Sequence, residues 1–442
     1  MTRVTLPERL CPVNDSAHSW GWGRNIPTAL ARNAALSCLR APACAAAQPD
    51  AKAALAGLVV MVRRHPVDGV ARGIDGKLHH VHVNETRLLE IAEANMLNAG
   101  ELAAAADALA VGDEKPLLRL AAEIPPGGGN AGDPALFSAG DNAAAFCNDS
   151  DFVWNRHDSV ALRRAKYHKA LRALGPRSFA PFSPRVWAKF YVADFCLRWP
   201  APDRFTPAVP RGATVTGVPA LILSGDLDTN VPTETTRRLL KVFRGARFLH
   251  IAGAAHPAIG WSECAQTVTQ RFIRTLALRG ATCSKPAYIA PAVPAFPRTS
   301  AEATPAHSLP GDASTKADRR VVTVAVRAVL DAWLRSFRIP GAIGKGYALR
   351  GGTFHFDYAT FNDHAVIRLH GVRFAREVAV DGRSTLMYAS NAMHIQMRVI
   401  GPASRRGRLR ADGEFGFGAP FSAFTVTGSL GGRTVDATVP AN

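Results

Sequence analysis

No apolar run in these 442 residues is long enough to cross a bilayer. The longest, AALAGLVVMV at 53–62, is about half of the roughly 20 residues that a membrane helix takes. The opening residues, MTRVTLPERLCPVNDS, hold no apolar signal-peptide core. None of the seven cysteines stands in a C-x-x-C pair, so zinc and thioredoxin-like chemistry lack their usual spacing. The densest basic runs, LRRAKYHKALR (162–172) and RRGRLR (405–410), carry no zinc-finger, basic-zipper or RNA-recognition signature. The strand-turn-helix motif G-x-S-x-G, which presents a nucleophilic serine, occurs nowhere in the chain. There is no internal repeat.

The chain is long enough for two or three domains, each with its own core. Its 47% hydrophobic and 20% charged residues are ordinary for a globular protein, but its net charge of +18 is not. Such a charge raises the question of a nucleic-acid partner. The basic residues are mostly Arg, scattered along the whole length, and Arg with Ala in excess also fits a GC-rich coding sequence. Nucleic acid is therefore not the expected partner. Among the cysteines, Cys38 and Cys44 bracket a short turn, CLRAPAC, and Cys264 and Cys283 bracket a helix-like stretch, leaving Cys147 and Cys196 in the middle and Cys11 odd. Three disulfides and an oxidising compartment are the preferred reading, with buried free thiols as the alternative.

Residues 1–210 are mainly helical in pattern, as in TRLLEIAEANML (86–97) and DSVALRRAKYHKALRAL (158–174), with PPGGGN (125–130) as a break. Over 211–283 the texture becomes α/β. ALILS (220–224) reads as a buried parallel strand, TETTRRLLKVF (233–243) as a helix, ARFLHI (246–251) as the next strand and CAQTVTQRFIRTLAL (264–278) as the next helix. Residues 284–318, rich in proline, read as a linker. From 319 to 442 comes a helix, RRVVTVAVRAVLDAWLRSF, then short alternating segments split by Gly, Asp and Asn that read as an antiparallel β domain.

The chemistry lies in the two loops that follow the α/β strands. SGDLDTNVP carries Asp226 and Asp228, and AGAAHP carries His256. Ligand sites in open α/β sheets lie at such strand ends. A buried acid that holds an imidazole through Nδ1–H leaves Nε2 to accept a nucleophile's proton, and nucleophile, acid, histidine is the chain order in α/β-hydrolases. Asp228, deeper in its loop, is preferred over Asp226 as the acid. The plain alternative for His256 is a loop histidine with no special role. A nucleophile is missing: Ser262 in GWSEC comes nearest, but it follows the histidine and precedes a helix without an elbow. The glycine-rich loop that would supply an oxyanion-hole N–H is also missing.

The segment from VPALILSGDLDTNVP to CAQTVTQRFI resembles the C-terminal part of the tripeptidyl-aminopeptidase-like secreted α/β-hydrolases of actinobacteria. The resemblance implies Asp228 as catalytic acid and His256 as catalytic base, although Ala255 stands where the family usually has Gly. SCLRAPAC, GLVVMVRRHPVDGVARGIDGKLHHVHV and GDEKPLLRLAAE are similar to the helical cap of such enzymes. FCNDSD with FCLRWP implies a Cys147–Cys196 pair, and CAQTV with GATC implies Cys264–Cys283. The stretch from LRGGTF to GSLGGRTVDATVPA resembles a β domain appended to a subset of the family. The resemblance begins at the cap, so the nucleophile elbow is expected upstream of Met1.

The expected fold is thus an incomplete α/β-hydrolase core with a large helical cap and a C-terminal antiparallel β domain. The expected activity is serine-type hydrolysis of peptides, or of small esters, by an exported protein with no metal and no organic cofactor. The competing class is a non-catalytic pseudohydrolase that binds a cell-wall polymer, a protein or nucleic acid.

Overall fold

The computed structural model describes residues 25–94, 96–124, 138–149, 152–190, 193–201, 214–278, 280–286, 292–358, 363–415 and 423–440. Cys11 lies outside them.

Helices dominate the first half: α1 (Ile26–Leu39), α2 (Pro42–Ala47) and α3 (Ala51–Arg64), then α4 (Glu85–Ala94), α5 (Met96–Ala110), α6 (Lys115–Ala122), α7 (Ala139–Asp149), α8 (Val160–Leu174), α9 (Pro184–Phe190) and α10 (Ala193–Cys196). Side-chain oxygens start several of them. Asp50 accepts from the Ala53 N–H to begin α3, and Ser159 accepts from the Leu162 N–H to begin α8. Between α3 and α4 an antiparallel pair, β1 (Val67–Arg72) and β2 (Leu78–Val83), interrupts a stretch whose sequence reads as helical. Its residues alternate in exposure, as in LHHVHV, the period of a strand.

The α/β segment follows as β3 (Leu221–Gly225), α11 (Thr233–Thr236), α12 (Leu239–Val242), β4 (Arg247–Ile251) and α13 (Glu263–Thr275). The expected single helix over 233–243 is two short ones. The hydroxyl of Thr236 donates to the carbonyls of Val231 and Pro232, and backbone-seeking hydroxyls of this kind compete with regular helix. β3 and β4 are parallel, with Leu221 opposite Arg247 and Gly225 opposite Ile251. α13 lays Ala265, Val268 and Phe272 inward, and the core around Leu249, Ile251, Ala254 and Ala258 closes over them.

The C-terminal part begins with β5 (His307–Ser308) and the long helix α14 (Lys316–Ser336), and continues as β6 (Ile343–Tyr347), β7 (Thr353–Asp357), β8 (His364–Val372), β9 (Ala379–Met387), β10 (Ala392–Ile400), β11 (Arg406–Glu414), β12 (Phe424–Leu430) and β13 (Arg433–Val439). β6 to β13 form an antiparallel meander, and β5 adds to its β13 edge to complete nine strands. A capping box, with Thr315 and Asp318 each bonding the other's backbone N–H, starts α14. From Val321 to Ser336 that helix is almost wholly buried, with Trp333 fully so. The Trp333 indole N–H donates to Ser384 Oγ at 3.0 Å, fixing which face of the sheet the helix covers.

The described residues group into two compact units. One comprises the described residues of 25–36, 88–96 and 138–286, and holds the α/β segment. The other comprises 37–87, 97–126 and 289–442, and holds the nine-stranded sheet. Residues 37–126, apart from 88–96, thus belong with the C-terminal sheet. In that second unit the proline-rich stretch is packed: Ala292, Val293, Phe296, Ala303 and Ala306 are buried, and the Val293 N–H donates to the Gly100 carbonyl. Prolines suit such a path because they have no N–H to satisfy.

Six charged side chains are buried together in this unit. Arg119 makes a bidentate pair with Asp331 at 2.7 and 2.9 Å, and Arg335 and Arg338 each bridge Glu101 and Glu123. Burial by itself would raise the Glu101 pKa, but Arg335, Arg338 and Arg119 outweigh it and bring the carboxyl down to about 2. These pairs fasten α5 and α6 to α14.

The cysteines form three disulfides: Cys38–Cys44, Cys147–Cys196 and Cys264–Cys283. No helix is long and apolar enough to cross a membrane among the described residues.

Candidate functional site

The parallel pairing of β3 and β4 puts the two chemistry-bearing loops side by side at the strands' C-terminal ends. Gly225 makes the close approach possible: a Cβ there would lie 2.2 Å from the Ala254 carbonyl oxygen. The contact is used, because the Leu227 N–H donates to that same oxygen at 3.0 Å. Gly253, at φ 72°, supplies the left-handed residue that turns the histidine loop.

The two carboxylates of SGDLD divide the work. Asp226 Oδ1 accepts from the Gly253 N–H at 2.9 Å and its own N–H donates to the Ile251 carbonyl, so Asp226 sews one loop to the other. Asp228 Oδ1 accepts from the Val231 N–H at 2.8 Å, while Oδ2 lies 3.1 Å from His256 Nδ1. The Asp228 side chain is 7% exposed and that of His256 29%, so a buried anion stands behind a partly open imidazole. An aspartate in this position fixes the ring's orientation and its Nδ1–H tautomer, and stabilises the imidazolium cation. Trp261 donates its indole N–H to the His256 carbonyl at 3.3 Å. Ala255 is buried and does not adopt positive φ, so a side chain is accommodated where the resembling family has Gly.

Helix α1 holds the acid loop from outside, which the sequence gives no sign of. Asn33 Nδ2 donates to the Leu227 carbonyl at 2.7 Å, Arg32 donates to the Asp226 carbonyl and pairs with Glu234, and Asn25 donates to Thr235. Nothing in NIPTALARN separates these contacts from ordinary helix-surface polarity.

Residues 181–283 match the family model for TAP-like proteins, of the α/β-hydrolase class. The match covers just under a quarter of the chain and spans both loops and the Cys264–Cys283 pair. It relates this segment to the α/β-hydrolases. No curated protein and no solved structure matches the chain.

Around the TAP-like loops, Ser262 is occupied structurally: its Oγ caps α13 by accepting the Ala265 N–H at 3.3 Å. Cys147–Cys196 and Cys264–Cys283 are paired as the resemblance implies, and Cys38–Cys44 as their spacing across CLRAPAC suggests. No cluster of three or more metal-ligating side chains occurs among the described residues. A groove of about 730 Å³ in the same unit is lined by basic side chains of α8 and α9, among them His168, Arg172, Arg185 and Lys189, and neither Asp228 nor His256 borders it.

Proposed function

We propose that Asp228 and His256 are the acid and the general base of a serine hydrolase that cleaves peptides, or else small esters, and that the nucleophile comes from outside these 442 residues. The observation that carries this reading is the 3.1 Å contact between Asp228 Oδ2 and His256 Nδ1 at adjacent ends of parallel strands, within a TAP-like segment. In this mechanism His256 Nε2 takes the serine proton as the hydroxyl attacks the scissile carbonyl. It then returns the proton to the leaving amine as the tetrahedral intermediate collapses. Asp228 stays ionised and steadies the imidazolium. The helices α7 to α10, which belong to the same unit as the two loops, act as a cap that limits substrate size. The three disulfides support a site of action in an oxidising compartment outside the cell.

The test uses two proteins. The 442-residue chain is expected to take no fluorophosphonate label, and a labelled serine within it would refute an external nucleophile. The in-frame extension upstream of Met1, expressed with the chain, is expected to label and to hydrolyse peptide anilides. In that extended protein Asp228→Asn should lower kcat by about 10³–10⁴-fold. A His256→Ala protein with full activity would overturn the assignment. An extension that encodes no nucleophile would favour the second reading, a pseudohydrolase, which the lack of G-x-S-x-G also supports.

A further inference from the structure

Helix α14 covers one face of the nine-stranded sheet; on the other face Arg72 and Gly76 lie against Tyr347 at the β6 edge, while a row of polar side chains across the strands is exposed. Ser384 bonds to Trp333 on the helix side, so Arg383 and Thr385, its neighbours along β9, point the opposite way. The same alternation exposes Arg368 between Ile367 and Leu369, Gln396 between Ile395 and Met397, and Arg410 between Leu409 and Ala411.

The antiparallel register lines these residues up across the strands. Lys345 lies opposite His355, His355 opposite Arg368, Arg368 opposite Arg383, Arg383 opposite Gln396, and Gln396 opposite Arg410. All six are exposed. With strands about 4.8 Å apart, this row runs about 24 Å across β6–β11. On the neighbouring row Arg398 faces Arg408.

Two observations make this row a site and not merely a solvated surface. Like charges directly opposite each other destabilise a sheet, and here Arg368 faces Arg383 and Arg398 faces Arg408 with no carboxylate paired to any of them among the described residues. The nearby acids are already engaged: Asp412 by His394 at 2.6 Å and Asp381 by the Gly371 N–H at 2.7 Å. Asp381 lies opposite Arg398 on β9, but Arg368 and Arg383 face each other with no acid opposite either, and a multivalent anion laid across the row would relieve that repulsion. Guanidinium groups bind phosphate as a fork, and two of them on facing positions can take the oxygens on both sides of one tetrahedral phosphate. β7 to β11 place no Phe, Tyr or Trp on this face, and Tyr347, beside Lys345 at the β6 edge, is already taken up by Lys345 and Arg72, so the row offers no free ring of the kind on which sheets stack nucleobases.

We propose that this face binds a linear, base-free phosphodiester polymer, such as a polyol phosphate, laid across the strands. The site rests on the second unit alone and stands whether or not the chain is a hydrolase.

The experiment is a titration of the full 442-residue chain with poly(glycerol phosphate). Binding is expected at 50 mM salt, with a loss on the order of a hundredfold at 200 mM, as four or so phosphate contacts require. The triple variant R368Q/R383Q/R410Q and, separately, R398Q/R408Q should each weaken binding at least tenfold while the melting temperature stays level or rises, because each removes a pair of facing like charges. Arg164→Gln, on the exposed side of α8, should leave it unchanged. No binding at 50 mM salt, or both multiple variants binding like the parent, would overturn the proposal. So would a single-stranded DNA of equal charge binding as tightly as the polyol phosphate, since the face would then be reading phosphate charge alone with no preference for a base-free chain.

Discussion

Replacing Glu101 by Gln keeps its shape and deletes one charge from a buried set of three carboxylates and three guanidinium groups. Glu101 is 1% exposed, within 2.6 Å of Arg338 and 3.7 Å of Arg119, and bonded to Arg335. The substitution leaves a net positive charge among atoms that water does not reach. Its size follows from the proton affinity of the native group. The Glu101 pKa falls from 4.5 in the free side chain to about 2 in the fold, and each unit is worth about 1.4 kcal/mol, giving about 3 kcal/mol. That agrees with the roughly 3–5 kcal/mol lost when one partner of a buried pair is removed. For a unit of this size the melting temperature should drop by about 6–12 °C at pH 7. Because the folded pKa is depressed, the stabilisation is fully present above pH 4.5 and is lost as the pH falls toward 2. The gap between parent and variant should therefore shrink to about 1 kcal/mol at pH 3. Calorimetry at both pH values measures it. A variant that melts within 2 °C of the parent at pH 7 (less than about 1 kcal/mol by the same scaling), or a gap that ignores pH, would refute the reasoning.

Three further outcomes are expected. Gly225→Ala drives a methyl into the Ala254 carbonyl, 2.2 Å away, and should cost about 2–3 kcal/mol in denaturant unfolding by forcing the two site loops apart. Asn33→Ala removes the 2.7 Å bond to the buried Leu227 carbonyl, so stability should fall by about 1–2 kcal/mol and hydrogen exchange should quicken over 226–232. Ser in place of both Cys264 and Cys283 opens a closed loop spanning 19 positions and should lower stability by about 3 kcal/mol, read as a lower denaturant midpoint without added reductant.

The sequence made the locally encoded parts legible. The two-residue period of FTVTGSL and MHIQMRV marks strands because one face of each is buried, and the apolar sweep of VVTVAVRAVLDAWL marks a buried helix. SGDLD and AGAAHP stood out because acid and histidine each follow a short apolar strand. The sequence favours Asp228 over Asp226 as the partner of the imidazole by its place deeper in the loop, but what holds Asp226 away depends on how the loops close. Asp226 is drawn off by the Gly253 N–H, a partner 27 residues away. The β1–β2 pair was hidden because three histidines in LHHVHV blur its alternation between apolar and polar. The clamp from Asn33, which bonds across 194 residues, and the pairing of Arg119 with Asp331 across 212 are products of tertiary structure with no local signature. For the same reason the proline-rich stretch reads as a linker although it lies packed in the second unit.

The path of the chain has a consequence for how such a protein could change by gene exchange. Residues 37–87 and 97–126 build the same compact unit as the sheet that begins some 200 positions later. A crossover near position 289 would therefore transfer strands without the helices that supply Arg119, Glu101 and Glu123. The recipient would gain a long helix whose buried Asp331 and Arg335 had lost their counter-charges. Inheritance of the β sheet is in this way tied to the first third of the same gene, and the sheet can move only together with it.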